Sequence, residues 1–239
     1  MKKAAGIFLS LVLACGGTAF AETSQSDLKE SKNVSILVNG VEVVSSANHL
    51  EKGNKVYASV KAYAKLFDKS YELSKNKKSV VFNGKTIKNI RLVEGEPTAN
   101  IQDLANAVDA QHVDWDKNDN EVYVLALPKG SIQITPVVPA MGEHWANPQA
   151  GDLPTGPIYG VYENRLVFLE YMIAQDDFVK GKDHVNLAGM KGVPSPAVVQ
   201  MDIEVQPHGH DGFEVPHYDI HAYFITDEEQ QKIGMDHNH

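Results

Sequence analysis

A chain of 239 residues, 43% hydrophobic and 22% charged, is long enough for one large globular domain or two small ones. Its formal net charge of −9, with arginine only at Arg91 and Arg165, argues against nucleic acid and anionic membrane as partners, because both reward clustered Lys and Arg. A single cysteine, Cys15, excludes an intrachain disulfide.

The N-terminus places Lys2 and Lys3 before an apolar run from Ala4 to Cys15 and the small-x-small triplet Ala19-Phe20-Ala21, the pattern of a secretory signal peptide (residues 1–21) cleaved after Ala21. The run falls short of the roughly 20 apolar residues a membrane-spanning helix needs, and no later run approaches that length, so no transmembrane segment is expected. Val12-Leu13-Ala14-Cys15 offers a second reading as a lipoprotein signal, which Leu13 fits poorly. The expectation is a secreted or cell-surface protein. Cleavage after Ala21 leaves no cysteine for a thiolate metal site. Residues 22–33 are polar, without a periodic apolar face, and read as a flexible leader.

From Val34 the sequence VSILVNGVEVV alternates around Asn39-Gly40, a strong hairpin-turn signal. A repeat follows. Residues 55–82 can be laid over 96–124, with Ala58 on Ala99, Val60 on Ile101 and Ala64 on Ala105. Val60, Tyr63, Ala64 and Phe67 in one copy, and Ile101, Leu104, Ala105 and Val108 in the other, have helical spacing, and each run is followed by alternation around a polar turn. This predicts a repeated helix-plus-hairpin module whose copies share one core. Asp114-x-Asp116-x-Asn118 lacks the Gly and Glu of a calcium loop, having Asp119 and Leu125 at those positions, and reads as a hairpin turn.

ILVNG, followed by a helix-and-hairpin unit ending HVDWDKNDNEVYV, resembles the copper amine oxidase N-terminal-like domain, a stalk module of exported proteins from Gram-positive bacteria, over residues 34–127. The V-P-L-R start of that family's helix is replaced here by Ala58-Ser59-Val60-Lys61. The resemblance implies architecture and surface placement only, and no copper or oxidase chemistry; cell-wall or other surface components are separately expected as partners.

Residues 128–135 open a Pro- and Gly-rich stretch and read as a connector to a β-rich domain over 136–234, with 235–239 a disordered tail. The strand signals there are IYGVY, RLVFLEYMI, AVVQMDIEV and FEVPHYDIHAYFI. In the third run Val199, Met201, Ile203 and Val205 are expected to face a core, and Gln200, Asp202 and Glu204 to face solvent. Thr226 and Glu229 have capping-box spacing, and Gly234 stops the helix they would start. The fold class expected is α+β: an N-terminal repeated helix-plus-hairpin module, then a C-terminal antiparallel β sheet or partial barrel with a short terminal helix.

The chemistry concentrates in PHYDIHAYF. On a strand His217, Asp219, His221 and Tyr223 share one side, while Tyr218, Ile220, Ala222 and Phe224 share the other and are expected to enter a core. Glu170 shares a face with Leu166, Phe168 and Met172, so an acid occupies a core position and needs a hydrogen bond, a cation or a raised pKa. Imidazole and carboxylate without thiolate form a ligand set for Zn²⁺, Cu²⁺, Ni²⁺ or Fe²⁺. His217 and His221 would stand roughly 13 Å apart on a regular strand, too far to share an ion, so either a bulge or turn after Pro216 brings them together or neighbours such as His217 and Asp219 chelate. His144, His217, Asp219 and His221 are therefore the candidate metal ligands, and Glu170 and Asp219 the candidate general bases. His208 and His210, at the apparent hairpin tip PHGHDG, are expected to be solvated, and His237 and His239 to lie in the tail.

The second half also resembles an uncharacterised bacterial His-rich family with a G-x-H-W element and a P-H-Y-D-x-H-x-Y-F strand, here Gly142 to Trp145 and Pro216 to Phe224. That resemblance implies a shared polar pocket and no named substrate. The functional expectation is an exported binding protein for a divalent metal or small polar ligand. The alternatives are a metal-dependent, hydrolase-like enzyme using the same cluster, and a structural surface module without a site. No nucleophile elbow, phosphate loop or HExxH motif points to a named enzyme class.

Overall fold

Short alternating runs and left-handed turns break this chain into many strands, and the computed structural model describes residues 34–149 and 153–235. The predicted signal peptide, Cys15, the leader, His237 and His239 lie outside the described residues. No helix among the described residues is long and apolar enough to cross a membrane.

In the N-terminal half, β1 (Ser35–Val38) turns through Asn39-Gly40 into β2 (Val41–Glu42) and also pairs in parallel with β11 (Glu121–Leu125), which is flanked by β10 (His112–Asp116). A second sheet runs β3 (His49–Glu51), β4 (Lys55–Ser59), β9 (Glu96–Asn100), β8 (Arg91–Val93). A third consists of β5 (Tyr71–Leu73), β6 (Ser79–Phe82) and β7 (Lys85–Lys88). Helix α1 (Val60–Leu66) is capped by the Ser59 side chain, which accepts from the Ala62 amide, and α2 (Ile101–Ala107) by Asn100, which accepts from the Gln102 amide. Ile36, Val38, Tyr63, Phe82, Leu104 and Val124 meet in the core between these layers.

The expected fold class needs correction. Strand accounts for 42% of the described residues and helix for 12%, in four sheets and four helices, and no repeated helix-plus-hairpin module is evident. Both helices are only seven residues long, too short to form a layer of their own. The hairpins after them have different partners: β6 hydrogen-bonds to β7, whereas β11 hydrogen-bonds to β1. Local periodicity registered two similar segments, but strand partners are chosen non-locally, and these segments chose differently.

Asn39 shows how the NG turn is used. Its side chain is fully buried, donates to the carbonyls of Ala126 (2.8 Å) and Pro194 (2.9 Å), and accepts from the Ala126 amide (2.8 Å). It thus ties the first turn to the end of β11 and to the loop at Pro194. Asn39→Asp removes the donor facing two buried carbonyls, and is expected to lower the unfolding free energy by about 1–3 kcal/mol in urea denaturation.

The second half is one antiparallel sheet in the order β12 (Ile132–Gln133), β13 (Glu143–Ala146), β14 (Ile158–Tyr162), β15 (Arg165–Ala174), β17 (His217–Tyr223), β16 (Gln200–Gln206). It is open, with β12 and β16 as edges. Helix α3 (Gln175–Val179) follows β15, and the terminal helix is the single turn α4 (Asp227–Gln230), with both hydrogen bonds of the Thr226/Glu229 capping box formed. Leu125, the last residue of β11, and Leu127 just after it pack with Tyr159, Val161 and Leu166, and Arg165 pairs with Glu121 at 2.7 Å.

The face of β17 is reversed from the expectation, and the apolar set of β16 is exposed where a core was expected, while Glu204 is exposed as expected. Met201, Ile203 and Val205 are 55%, 67% and 50% exposed, whereas His217, Asp219 and His221 are 0%, 2% and 0% exposed. Register is the cause. Glu170 pairs with His221 and Met172 with Asp219, so the covered face of β15 and the imidazole face of β17 are the same face.

Candidate metal centre

Five side chains from the strands just described gather on that face. His144 comes from β13, Glu170 from β15, His217, Asp219 and His221 from β17, and all five are buried. The sheet leaves room through a glycine: Gly160 of β14 lies opposite both His144 and Phe168, and the Phe168 ring occupies the space where a Cβ on residue 160 would project. Phe168 meets the rings of His144 (5.5 Å), His221 (5.0 Å) and Tyr223 (5.4 Å) edge-on, forming an apolar wall beside the polar groups.

A sixth group, His210, is exposed as expected but also reaches the cluster, which was not expected. Although exposed, it is carried back over the sheet by the ten-residue connection between β16 and β17, and its Nε2 lies 3.2 Å from Nε2 of His217. Gly209 permits that return: it has φ +68°, and a Cβ there would lie 2.6 Å from the Phe213 carbonyl oxygen. Phe213 in turn stacks on the His217 ring at 4.4 Å. The sequence signal for His210 was the length of that connection, which exceeds what a tight hairpin uses.

Three ligand-type atoms meet here. One atom each from His210, His217 and Asp219 lie within 4.8 Å of one another, and the group could hold a metal ion. The two shortest separations are 3.2 Å between the Nε2 atoms and 3.1 Å from His217 Nε2 to Asp219 Oδ1. Bonds of about 2.0–2.1 Å to a shared ion would place cis ligands about 2.9 Å apart in an octahedron and about 3.3 Å in a tetrahedron, which brackets both separations.

Outer partners set the tautomers. Nδ1 of His217 donates to the Val215 carbonyl (2.7 Å), and Nδ1 of His210 to the Asp211 carbonyl (3.0 Å). In the neutral rings both Nε2 atoms then carry lone pairs and point at each other. Asp219 is oriented in the same way: Oδ2 accepts from Gln206 (2.9 Å), while Oδ1 faces His217 and has no hydrogen-bond partner among the described residues. Three electron-pair donors facing inward, each with its other polar atom held outward, could hold a cation between them.

The remaining three groups form a second knot. Glu170 places Oε1 3.2 Å from His221 Nε2 and Oε2 3.8 Å from His144 Nε2. Glu170 Oε2 and both ring nitrogens of His221 lack a well-directed hydrogen bond among the described residues, and each such buried atom costs about 1–3 kcal/mol. His144 Nδ1 lies 3.0 Å from the Thr135 hydroxyl. Of the predicted ligands, His217 and Asp219 are thus brought together as neighbours on one strand. His221 and His144 gather instead around Glu170.

The two histidines of the second knot titrate in opposite senses. Burial holds the His144 pKa below its ordinary value against the pull of Glu170, so His144 contributes stability above the ordinary histidine value that is lost as pH falls through its folded pKa. For His221, burial also lowers the pKa, but Glu170, Asp219 and Glu204 outweigh it and the net direction is upward. Its contribution is full below the ordinary value and is lost as pH rises through the folded pKa.

Two surface clefts lie elsewhere, one around Asp68–Glu72 and Val81–Gly84, the other around Val41–Ser45, Lys61–Leu66 and Pro194–Ser195, and neither contains an imidazole. No family model matches this chain, and no curated protein matches it. A solved structure, described as a hypothetical protein from Thermus thermophilus, is similar over 45% of this chain and 96% of its own at 18% identity, with a TM-score of 0.37. A likeness at that level carries no argument.

Proposed function

We propose that this chain is an exported protein that binds a divalent transition metal through His210, His217 and Asp219. The observation that carries this reading is the inward convergence of two imidazole Nε2 atoms and one carboxylate oxygen at 3.2 and 3.1 Å, each with its other polar atom engaged outside the cluster. Two nitrogens and one oxygen suit Zn²⁺, Cu²⁺, Ni²⁺ or Fe²⁺ and suit Ca²⁺ or Mg²⁺ poorly, since those prefer all-oxygen shells. The closeness of the groups favours a bare ion over an organic ligand. Export rests on the first 21 residues, which read as a signal peptide.

Elemental analysis of tag-free protein, dialysed against each metal in turn and then against buffer, tests the reading. Retention of stoichiometric metal supports it. Recovery of less than about a tenth of an equivalent for every metal would remove it.

Metal occupancy is also expected to depend on pH in one direction. Bound imidazole must be unprotonated, so protons compete with the ion, and metal held at about pH 7.5 should be released by about pH 5, as followed by a chromogenic chelator. Undiminished occupancy at the lower pH would contradict ligation through histidine.

A further inference from the structure

The edge strand β16 sorts its side chains by chemistry between the two faces of the sheet. Asp202 and Glu204 pair with His221 and Asp219 and so lie on the face of the candidate metal centre, whereas Met201, Ile203 and Val205 pair with Ala222, Ile220 and Tyr218 on the opposite face. Over β15 that opposite face is closed. Tyr171 and Ile173 are buried there, and the hydroxyls of Tyr171 and Tyr159 donate to the carbonyls of Ala188 and Gly189, which holds the connection before β16 against the sheet. The cover stops short of the edge. Tyr218, Ile220 and Ala222 of β17 are only partly buried, Met201, Ile203 and Val205 of β16 are each half or more exposed, and Phe178, edge-on to Tyr218, is 49% exposed.

We propose that this open apolar face is the contact between two copies of this chain, packed face to face across a twofold axis. Area is the first support. Met201, Ile203, Val205 and Phe178 together expose roughly 400 Å² of surface that is mostly apolar, within the range where a single patch on a monomer is often functional. A stable interface takes about 800 Å² from each partner, of which a little over half is apolar, so this patch supplies most of the apolar share and its polar surroundings the rim.

Charge selects a second copy and the way it packs. A twofold contact sets one surface against itself, and a chain of net charge −9 can do that only where the shared surface is free of its own acids. The apolar set of β16 meets that condition. Joining two β16 edges into one continuous sheet does not, because pairing centred on Ile203 would set Asp202 directly opposite Glu204 of the second copy, and like charges in that position repel. Packing by the faces keeps both acids on the far side of the sheet. It also leaves the candidate metal centre outside the contact, so association stands independently of metal binding.

Sedimentation equilibrium of tag-free protein in the presence of chelator, over a range of concentrations, tests this. Wild type should show at least twice the chain mass, and Ile203→Asp should raise the dissociation constant about a hundredfold or more, as loss of a central apolar contact does. Val44→Asp, at another exposed apolar position, should leave the mass unchanged. A wild-type chain that stays monomeric to about 100 μM, a concentration at which even a weak dimer forms, would overturn the proposal, whether another protein or the apolar run of residues 4–15 covers the face instead. An assembly that keeps its mass in both Ile203→Asp and Met201→Lys would overturn it too, by placing the contact elsewhere. The wild-type mass needs no substitution, so it decides even where a variant fails to fold.

Discussion

His217→Ala is expected to abolish the stabilisation that metal gives this protein. If wild type binds a divalent ion only when folded, metal at 100 times its dissociation constant raises the unfolding free energy by about 2.7 kcal/mol. His217 supplies the atom that lies closest to both other donors, at 3.2 Å from His210 and 3.1 Å from Asp219, so its loss leaves two groups that no longer share a neighbour. The variant should therefore show the same urea midpoint with and without metal, while wild type shifts. Comparing each protein with itself removes the separate cost of emptying a fully buried position. An equal shift in both proteins would mean that the ion sits elsewhere.

Phe168→Ala should produce the largest loss of stability in the metal-free protein, about 3–5 kcal/mol by urea denaturation in the presence of chelator. The ring is fully buried, lies over Gly160 and contacts His144, His221 and Tyr223. The glycine supplies an internal control. Gly160→Ala alone should destabilise, because its Cβ would collide with the Phe168 ring, but in the Phe168→Ala background the same change should cost much less. Additive effects of the two substitutions would show that the ring does not rest on residue 160.

Much of the candidate centre was legible in the sequence because its residues are polar where a strand pattern calls for apolar ones. Glu170 stood out beside Phe168 and Met172, and the i, i+2 spacing of His217 and Asp219 made them neighbours on any regular strand. His210 was assigned to solvent because its partner is reached only when the connection after β16 folds back, and no local pattern records that return. The capping box at Thr226 and Glu229 was legible for the opposite reason, since both hydrogen bonds close within four residues. The α+β reading failed because two short helical stripes suggested equivalent units, while the strands beside them took β7 in one case and β1 in the other.

By itself the sequence determined which side chains share a face: alternation places His217, Asp219 and His221 on one side of a strand whatever surrounds it. Only the tertiary structure decided that this side is the interior. The apolar set of β16 offered the more favourable burial strand by strand, yet pairing of Glu170 with His221 turned the polar face of β17 inward, while on the edge strand β16 the apolar residues and Glu204 all stay exposed. Hydrogen-bond register is set across the whole ladder, and a slip of one residue would have exchanged every inward group for its neighbour. That collective choice, made between strands distant in sequence, buries His217 and Asp219, and the return of the β16–β17 connection brings His210 to them.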